Sequence, residues 1–165
     1  MRTAPHRRHL ALPLVADPVL DDVGGEDAAA EQEGVVLLQA VERLLERLRR
    51  LGQEGSDWSV LTTKGGAFAA QLLAAADLRP RAVLGHEQGS KPEVLQRLVR
   101  DAQELWFIED RRPTLEQVRA TPGLEAVRCY LVSWGYLAPG DGDRLPAGIR
   151  GLDPEAFQQP LARWP

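Results

Sequence analysis

The sequence predicts one α/β domain in three layers, with helices on both sides of a mostly parallel sheet. Two observations lead to this prediction. Short apolar segments alternate with helical segments over most of the chain, as in the βαβ units that join parallel strands. A length of 165 residues with 44% hydrophobic content is also enough for one globular domain with its own core.

The N-terminal segment, residues 1–34, is predicted to be flexible or irregular, and the ordered α/β domain to cover 35–165. Acidic and small residues without apolar periodicity fill 17–34, which is typical of a loop or connector. His6 and His9 lie in this segment, so we expect neither to belong to a functional site.

The ordered domain is predicted to alternate between helices and strands. Apolar side chains at spacings of three and four predict a helix at its start, and apolar runs bounded by Gly, Pro, Ser or Asp predict strands. The predicted elements are a helix over 36–51, a strand over 58–62, a helix over 67–77, a strand over 81–84, a helix over 92–105, a strand over 106–109, a helix over 114–120, a strand over 127–132 and a helix over 154–163.

Charge and composition exclude several classes of partner. The net charge is -4 with acidic and basic residues interspersed, whereas a nucleic-acid surface needs clustered basic residues, so we expect no nucleic-acid partner. No apolar stretch has the length of a membrane span, and we therefore expect no membrane partner and a cytoplasmic location. The single cysteine, Cys129, excludes an intramolecular disulfide and is predicted to be buried in a strand.

Polar residues follow the strand predicted over 58–62. Thr62 closes this strand, and Thr63 and Lys64 lead to the pair Gly65-Gly66 at the start of the next helix. A hydroxyl at a strand end beside the amides of a helix start can bind an anion. The alternative is that this turn only connects the strand to the helix, as such sequences commonly do. The turn also lacks the Gly-Lys-Ser/Thr ending of a nucleotide P-loop.

A second signal lies at the start of the helix predicted over 92–105. Ser90 and Glu93 have the spacing of a capping box, which places Lys91 in the first helical turn. The positive end of the helix dipole disfavours a lysine there. Lys91 is therefore a candidate to hold a phosphate, with a solvated lysine as the alternative.

The third signal is the pair Glu109-Asp110 after a strongly apolar strand. Parallel strands deliver their carboxyl ends to one edge of the sheet, where open α/β folds bind ligands. Carboxylates at that edge suit Mg²⁺, which takes one or two of them together with substrate phosphate oxygens and water. The alternative is that Asp110 only caps the turn before Pro113.

In this order, three segments resemble the second, third and fourth motifs of the haloacid dehalogenase (HAD) superfamily, most of whose members are Mg²⁺-dependent phosphatases. They are the segments 61–64, 91–92 and 107–110. The resemblance covers residues 36–137, includes Trp134-Gly135-Tyr136, and is closest to the HAD hydrolase-like proteins of cyanobacteria. It implies a HAD-like Rossmannoid fold with no cap domain evident.

The resemblance also implies roles for the candidate residues. Thr62, with Thr63, would bind the phosphoryl group of a small phosphorylated molecule, and Lys91 would neutralise it. Asp110, with Glu109, would hold Mg²⁺.

The chain departs from the HAD pattern at the nucleophile, because no Asp-x-Asp follows an apolar strand. Asp17 is a weak candidate nucleophile, and Val19 stands where the acid/base would be. Pro13 is awkward in the first strand, which this family places at the centre of its sheet. We therefore expect the first strand to be missing, in a chain that is shortened at its N-terminus, or to be a degenerate strand over 10–16.

Two consequences follow from the missing first strand and nucleophile. A gap in the sheet would expose an edge, so a homodimer formed by strand pairing is a hypothesis. We expect a Mg²⁺-dependent phosphatase of the HAD type that acts through an aspartyl-phosphate, with weak or no activity in this chain. The alternatives are a noncatalytic HAD-like module that binds a phosphorylated ligand or a protein partner, and a domain whose polar edge residues are only caps.

Overall fold

A computed structural model of the chain describes residues 8–13, 42–135 and 137–165. The strands are β1 (Arg8–Pro13), β2 (Ser56–Leu61), β3 (Ala82–Leu84), β4 (Glu104–Glu109), β5 (Arg128–Val132) and β6 (Ile149–Leu152). The helices are α1, described over 42–51, α2 (Gly66–Ala75), α3 (Lys91–Asp101), α4 (Arg112–Ala120) and α5 (Pro154–Gln158). Single 3₁₀ turns cover Gly52–Glu54, His86–Gln88 and Leu161–Arg163.

All six strands are parallel, in the order β3-β2-β1-β4-β5-β6. This order reverses direction between β1 and β4, as in doubly wound nucleotide-binding folds, which bind ligands at the carboxyl ends of the strands beside that point. The prediction of an α/β fold is confirmed, and the sheet is wholly parallel among the described strands.

Strand β1 occupies the centre of the sheet, between β2 and β4, where the sequence led us to expect a gap or a degenerate strand. Residues 9–12 are buried, as expected of a strand covered on both faces. Pro13 is tolerated because it is the last residue of β1, and β4 pairs only with residues 8–11. The gap that suggested a homodimer is thus filled, and residues 8–13 of the segment expected to be irregular form a strand.

The helices cover the sheet on both faces. A first cluster of buried side chains packs under α1, α2 and α5, and a second packs under α3 and α4. All four tryptophans belong to the first cluster or pack against it, and these are Trp58, Trp106, Trp134 and Trp164. Trp106 and Trp164 are in contact, with ring centroids 5.6 Å apart. The architecture is therefore three-layered.

A buried arginine ties the C-terminal segment to α1. Arg47, only 1% exposed, donates through Nε to Phe157 O (2.8 Å) and through Nη2 to Gln159 O (2.9 Å). It also pairs with Glu54, whose carboxylate accepts the Leu161 N–H (3.0 Å). The charge is paired and its donors are used, as burial requires.

Charged side chains pair along the amino edge of the sheet. Arg81 binds Asp57 (2.7 Å) between β3 and β2. Arg8 on β1 and Arg128 on β5 bind the two oxygens of Glu104 on β4, each at 3.0 Å. Opposite charges on neighbouring strands favour this register over one in which like charges meet.

Element boundaries differ from the predicted ones by a few residues; α3, for example, stops at Asp101 and not at Leu105. Strand β6 had no predicted counterpart. The helix predicted over 154–163 is α5 followed by a 3₁₀ turn. Among the described helices, none is both long and apolar enough to cross a membrane.

Candidate functional site

Thr62 lies directly after β2 at the carboxyl edge of the sheet and is 7% exposed. Its N–H donates to Leu84 O (3.0 Å) on the neighbouring strand, and its Oγ1 accepts the Lys64 N–H (3.1 Å). A hydroxyl that accepts one bond can still donate its own proton to an anion. The turn therefore holds Thr62 as the sequence predicted, with Thr63 exposed beside it.

The capping box at the start of α3 is confirmed. The Ser90 side chain accepts the Glu93 N–H, and the Glu93 carboxylate accepts the Ser90 N–H (2.8 Å). Pro92 follows in the first turn and is buried. Because this start is fixed, Lys91 has a defined position and is not on a fraying end.

The Lys91 ammonium forms an ion pair with Glu109 Oε2 at the end of β4. The Lys91 side chain is 17% exposed and that of Glu109 is 1% exposed. Strand alternation puts Glu109 on the same face as Leu105 and Phe107, under α3, which explains how the two side chains meet. The unfavourable lysine at the helix start is thus offset by a carboxylate from a different element.

The Glu109 carboxylate is held from several sides. Oε1 accepts the N–H groups of Asp110 (3.2 Å) and Arg111 (3.3 Å). Burial raises the pKa of Glu109 to about 7, and a hydrogen bond with the Asp110 side chain acts in the same direction. The Lys91 charge acts against this rise. Near neutral pH, Glu109 therefore passes between its protonated and its ionised form while the Lys91 ammonium stays beside it.

Asp110 is 8% exposed and packs against Gly135, in the loop after β5. A Cβ on Gly135 would lie 2.1 Å from Asp110 Cβ, so only glycine permits this approach. The sequence had marked Trp134-Gly135-Tyr136 as a motif without predicting this contact. Tyr136 lies outside the described residues.

Sequence reasoning missed Glu87, whose carboxylate accepts the Gly66 N–H at the start of α2 (3.0 and 3.2 Å). Its own backbone N–H and that of Gly66 lower the pKa of Glu87. The amide expected to bind an anion therefore already binds a carboxylate of the chain. Gly85 permits the approach, since a Cβ there would lie 2.3 Å from Gly66 N.

The predicted Mg²⁺ ligands differ in how well they suit a cation. Glu109 is engaged by an ammonium and two N–H groups, so a cation there would meet the Lys91 charge. Asp110 suits the role better, because one carboxylate with phosphate and water oxygens is enough for Mg²⁺. Within the described parts of the chain, no group of three or more His, Cys, Asp or Glu side chains could hold a metal ion.

Several sequence expectations concern the N-terminal segment and the cysteine. Asp17 and Val19 lie outside the described residues. His9, placed by the sequence in a flexible terminus, lies in β1 and is 8% exposed. Burial and then the Arg81 charge lower the pKa of His9, while Asp57 acts to raise it. Cys129 is buried as predicted, and burial raises the pKa of its thiol to about 11.

The candidate residues that the structure describes lie at the carboxyl ends of β2 and β4, on either side of β1. Neighbouring strands are spaced by about 4.7–4.9 Å, so the ends of β2 and β4, where Thr62 and Glu109 lie, are about 10 Å apart. Comparison of the chain with family models, with curated proteins and with solved structures gave no match.

Proposed function

We propose that this chain is a HAD-type phosphate-ester-binding domain that hydrolyses a small phosphate monoester slowly at the carboxyl edge of β2, β1 and β4. The observation that carries the proposal is the Lys91–Glu109 pair. It fixes an ammonium beside the point between β1 and β4 where the strand order reverses. Thr62 lies across β1 from it. The family assignment rests on the resemblance of the three motifs.

The pair suits a phosphate group because its charge depends on the proton of Glu109. When Glu109 is protonated, the pair carries one net positive charge, which attracts an anion. The Lys91 side chain is 17% exposed, so its ammonium can reach a ligand, whereas the Glu109 side chain is 1% exposed and stays covered. Lys91 is therefore the residue that contacts the phosphate, and Glu109 positions it.

Hydrolysis requires a nucleophile that follows β1. In the proposed reaction the Asp17 carboxylate attacks phosphorus, an aspartyl-phosphate forms, the P–O bond to the alcohol breaks, and water then hydrolyses the acyl phosphate. Mg²⁺ bound at Asp110 would neutralise charge on the phosphoryl oxygens. Val19 cannot protonate the leaving alkoxide, so we expect aryl phosphates to react faster than alkyl phosphates.

The second candidate function is a noncatalytic module that binds a phosphorylated ligand or a protein partner. The absence of an Asp-x-Asp after an apolar strand favours it, because a module that only binds needs no nucleophile and no acid/base. This alternative predicts saturable binding of a phosphate ester without release of phosphate.

The experiment compares the chain with the variants Asp17→Asn, Lys91→Ala and Lys64→Ala, using p-nitrophenyl phosphate with Mg²⁺. Turnover that is lost in Asp17→Asn and Lys91→Ala, and kept in Lys64→Ala, supports the hydrolase. Without turnover, calorimetric titration with phenyl phosphate decides between binding and no function at this edge. Binding that survives Lys91→Ala contradicts both forms of the proposal.

A further inference from the structure

A cleft lies at the opposite edge of the sheet from Thr62 and Lys91. It has a volume of about 200 Å³ and lies beside the end of α4 and the amino ends of β5 and β6. Its lining includes three arginines and one acid, which are Arg119, Arg128, Arg150 and Glu125. The cleft thus has a basic lining in a chain whose net charge is negative.

Arg119 is the residue whose donors are not all used. Its Nη1 donates to Glu125 O (2.8 Å), but its Nε is buried and has no hydrogen-bond partner among the described residues. A buried N–H without a partner loses the hydrogen bond that water gave it in the unfolded chain, and such a group in a folded protein calls for a water or an ion. The Arg119 Nε–H is therefore an unused donor on a residue that lines this cleft.

The backbone holds the Arg119 guanidinium in place. Gly148 packs against it, since a Cβ there would lie 2.6 Å from Nε and 2.9 Å from Nη2. Gly148 has φ +86, a conformation that favours glycine, so a larger residue is disfavoured on two grounds. With Nη1 bound to Glu125, the edge formed by Nε and Nη2 is the two-donor fork that carboxylates and phosphates use.

The other two arginines add positive charge to the cleft, and each binds a group other than Arg119. Arg128 binds Glu104 (3.0 Å), and Arg150 donates to Pro165 O (2.8 Å). Glu125, the one acid of the lining, accepts the Gly123 N–H through its carboxylate (3.0 Å). The local potential therefore favours an anion at Arg119.

We propose that this cleft binds a small oxyanion, a free phosphate or the carboxylate of a small acid, on the Nε and Nη2 donors of Arg119. The volume is far above that of one water and below the 300–1,000 Å³ typical of sites for drug-sized ligands. The site is separate from Lys91, so it takes its anion whether or not the carboxyl edge is a phosphatase site.

The test follows the Arg119 Nε–H signal of the ¹⁵N-labelled protein by NMR during titration with inorganic phosphate, and separately with acetate. Arg119→Lys assigns the signal by removing it. The backbone amide signals of Gly148 and Arg150, which line the cleft, then report binding in this variant, and it should be weakened about tenfold or more, because lysine keeps the charge and loses the fork. Arg79→Lys, at a side chain 89% exposed, is the matched control and should bind as the parent does.

A saturable shift of the Nε–H signal, retained in Lys91→Ala, supports the proposal and separates this cleft from the carboxyl edge. The anion that binds more tightly identifies phosphate or carboxylate as the ligand class. A signal that does not move up to about 50 mM anion, enough to saturate a site with a Kd of about 1 mM, overturns the proposal.

Discussion

Lys91 and Glu109 meet although they are separated by 18 residues and belong to different elements, one at the start of α3 and the other at the end of β4. The two side chains stabilise each other's positions. The capping box fixes the start of α3, and two backbone amides fix the carboxylate. This pair gives the carboxyl edge both its charge and its response to pH.

Stability should depend on the proton of Glu109. Its pKa is raised from 4.5 to about 7 by burial, so between these values the folded protein binds a proton that the unfolded chain has lost. The free energy of unfolding should therefore fall as pH rises through this window, by about 1–3 kcal/mol. Urea denaturation across the window should show a flatter profile for Glu109→Gln. The same slope in Glu109→Gln and in the exposed control Glu46→Gln would contradict this assignment.

Lys91→Met should destabilise the protein more at about pH 8 than at about pH 5, because a neutral Glu109 does not need a cation. The difference should be about 1–2 kcal/mol, because the variant leaves a buried carboxylate without its cation, and part of that cost is avoided when the carboxylate takes up a proton. Chemical denaturation of the variant at both pH values measures it. An equal loss at both would mean that Lys91 contributes through packing alone.

Arg47→Met should lower the free energy of unfolding by about 3 kcal/mol or more, since it leaves Glu54 without its cation and two carbonyls without donors. Arg47→Lys should recover little of this free energy, because an ammonium lacks the guanidinium fork that contacts three groups. Arg49→Met is the control, an exposed arginine of the same helix with one bond to Ala76 O. Urea denaturation of the three variants measures the differences.

Gly135→Ala should destabilise the protein by about 1–3 kcal/mol, the usual cost of overpacking, because the new Cβ would overlap Asp110. Ligand binding at the carboxyl edge should weaken with it as Asp110 moves. Gly142→Ala, where a Cβ meets nothing within 4 Å, should leave thermal stability nearly unchanged. If Gly135→Ala has the same melting temperature as this control, Asp110 can move away from the new Cβ without a loss of stability.

Local signals predicted most of the fold, and the failures have physical causes. Strands β2 to β5 are apolar runs bounded by turn residues, which is the pattern that periodicity detects. Strand β6 has only four residues, Gly151 among them, and Ile149 and Leu152 are its buried members. Pro13 makes β1 read as a degenerate strand in the sequence, but a proline at the last strand residue removes no donor that β4 needs.

At the candidate site, only contacts between residues that are close in the sequence could be predicted. The Ser90–Glu93 box follows from spacing of three residues. The Lys91–Glu109 pair, the Glu87–Gly66 contact and the Gly135–Asp110 approach join elements that are distant in the chain, and one sequence carries no signal for such contacts.

The uneven distribution of tryptophan makes the two faces of the sheet differ as optical reporters. All four indole rings lie on the side of α1, α2 and α5, so intrinsic fluorescence follows the unfolding of that face. The face that carries α3 and Lys91 contains Cys129 instead. A local opening of α3 would leave the emission spectrum unchanged, and thiol labelling at Cys129 would detect the exposure of that face.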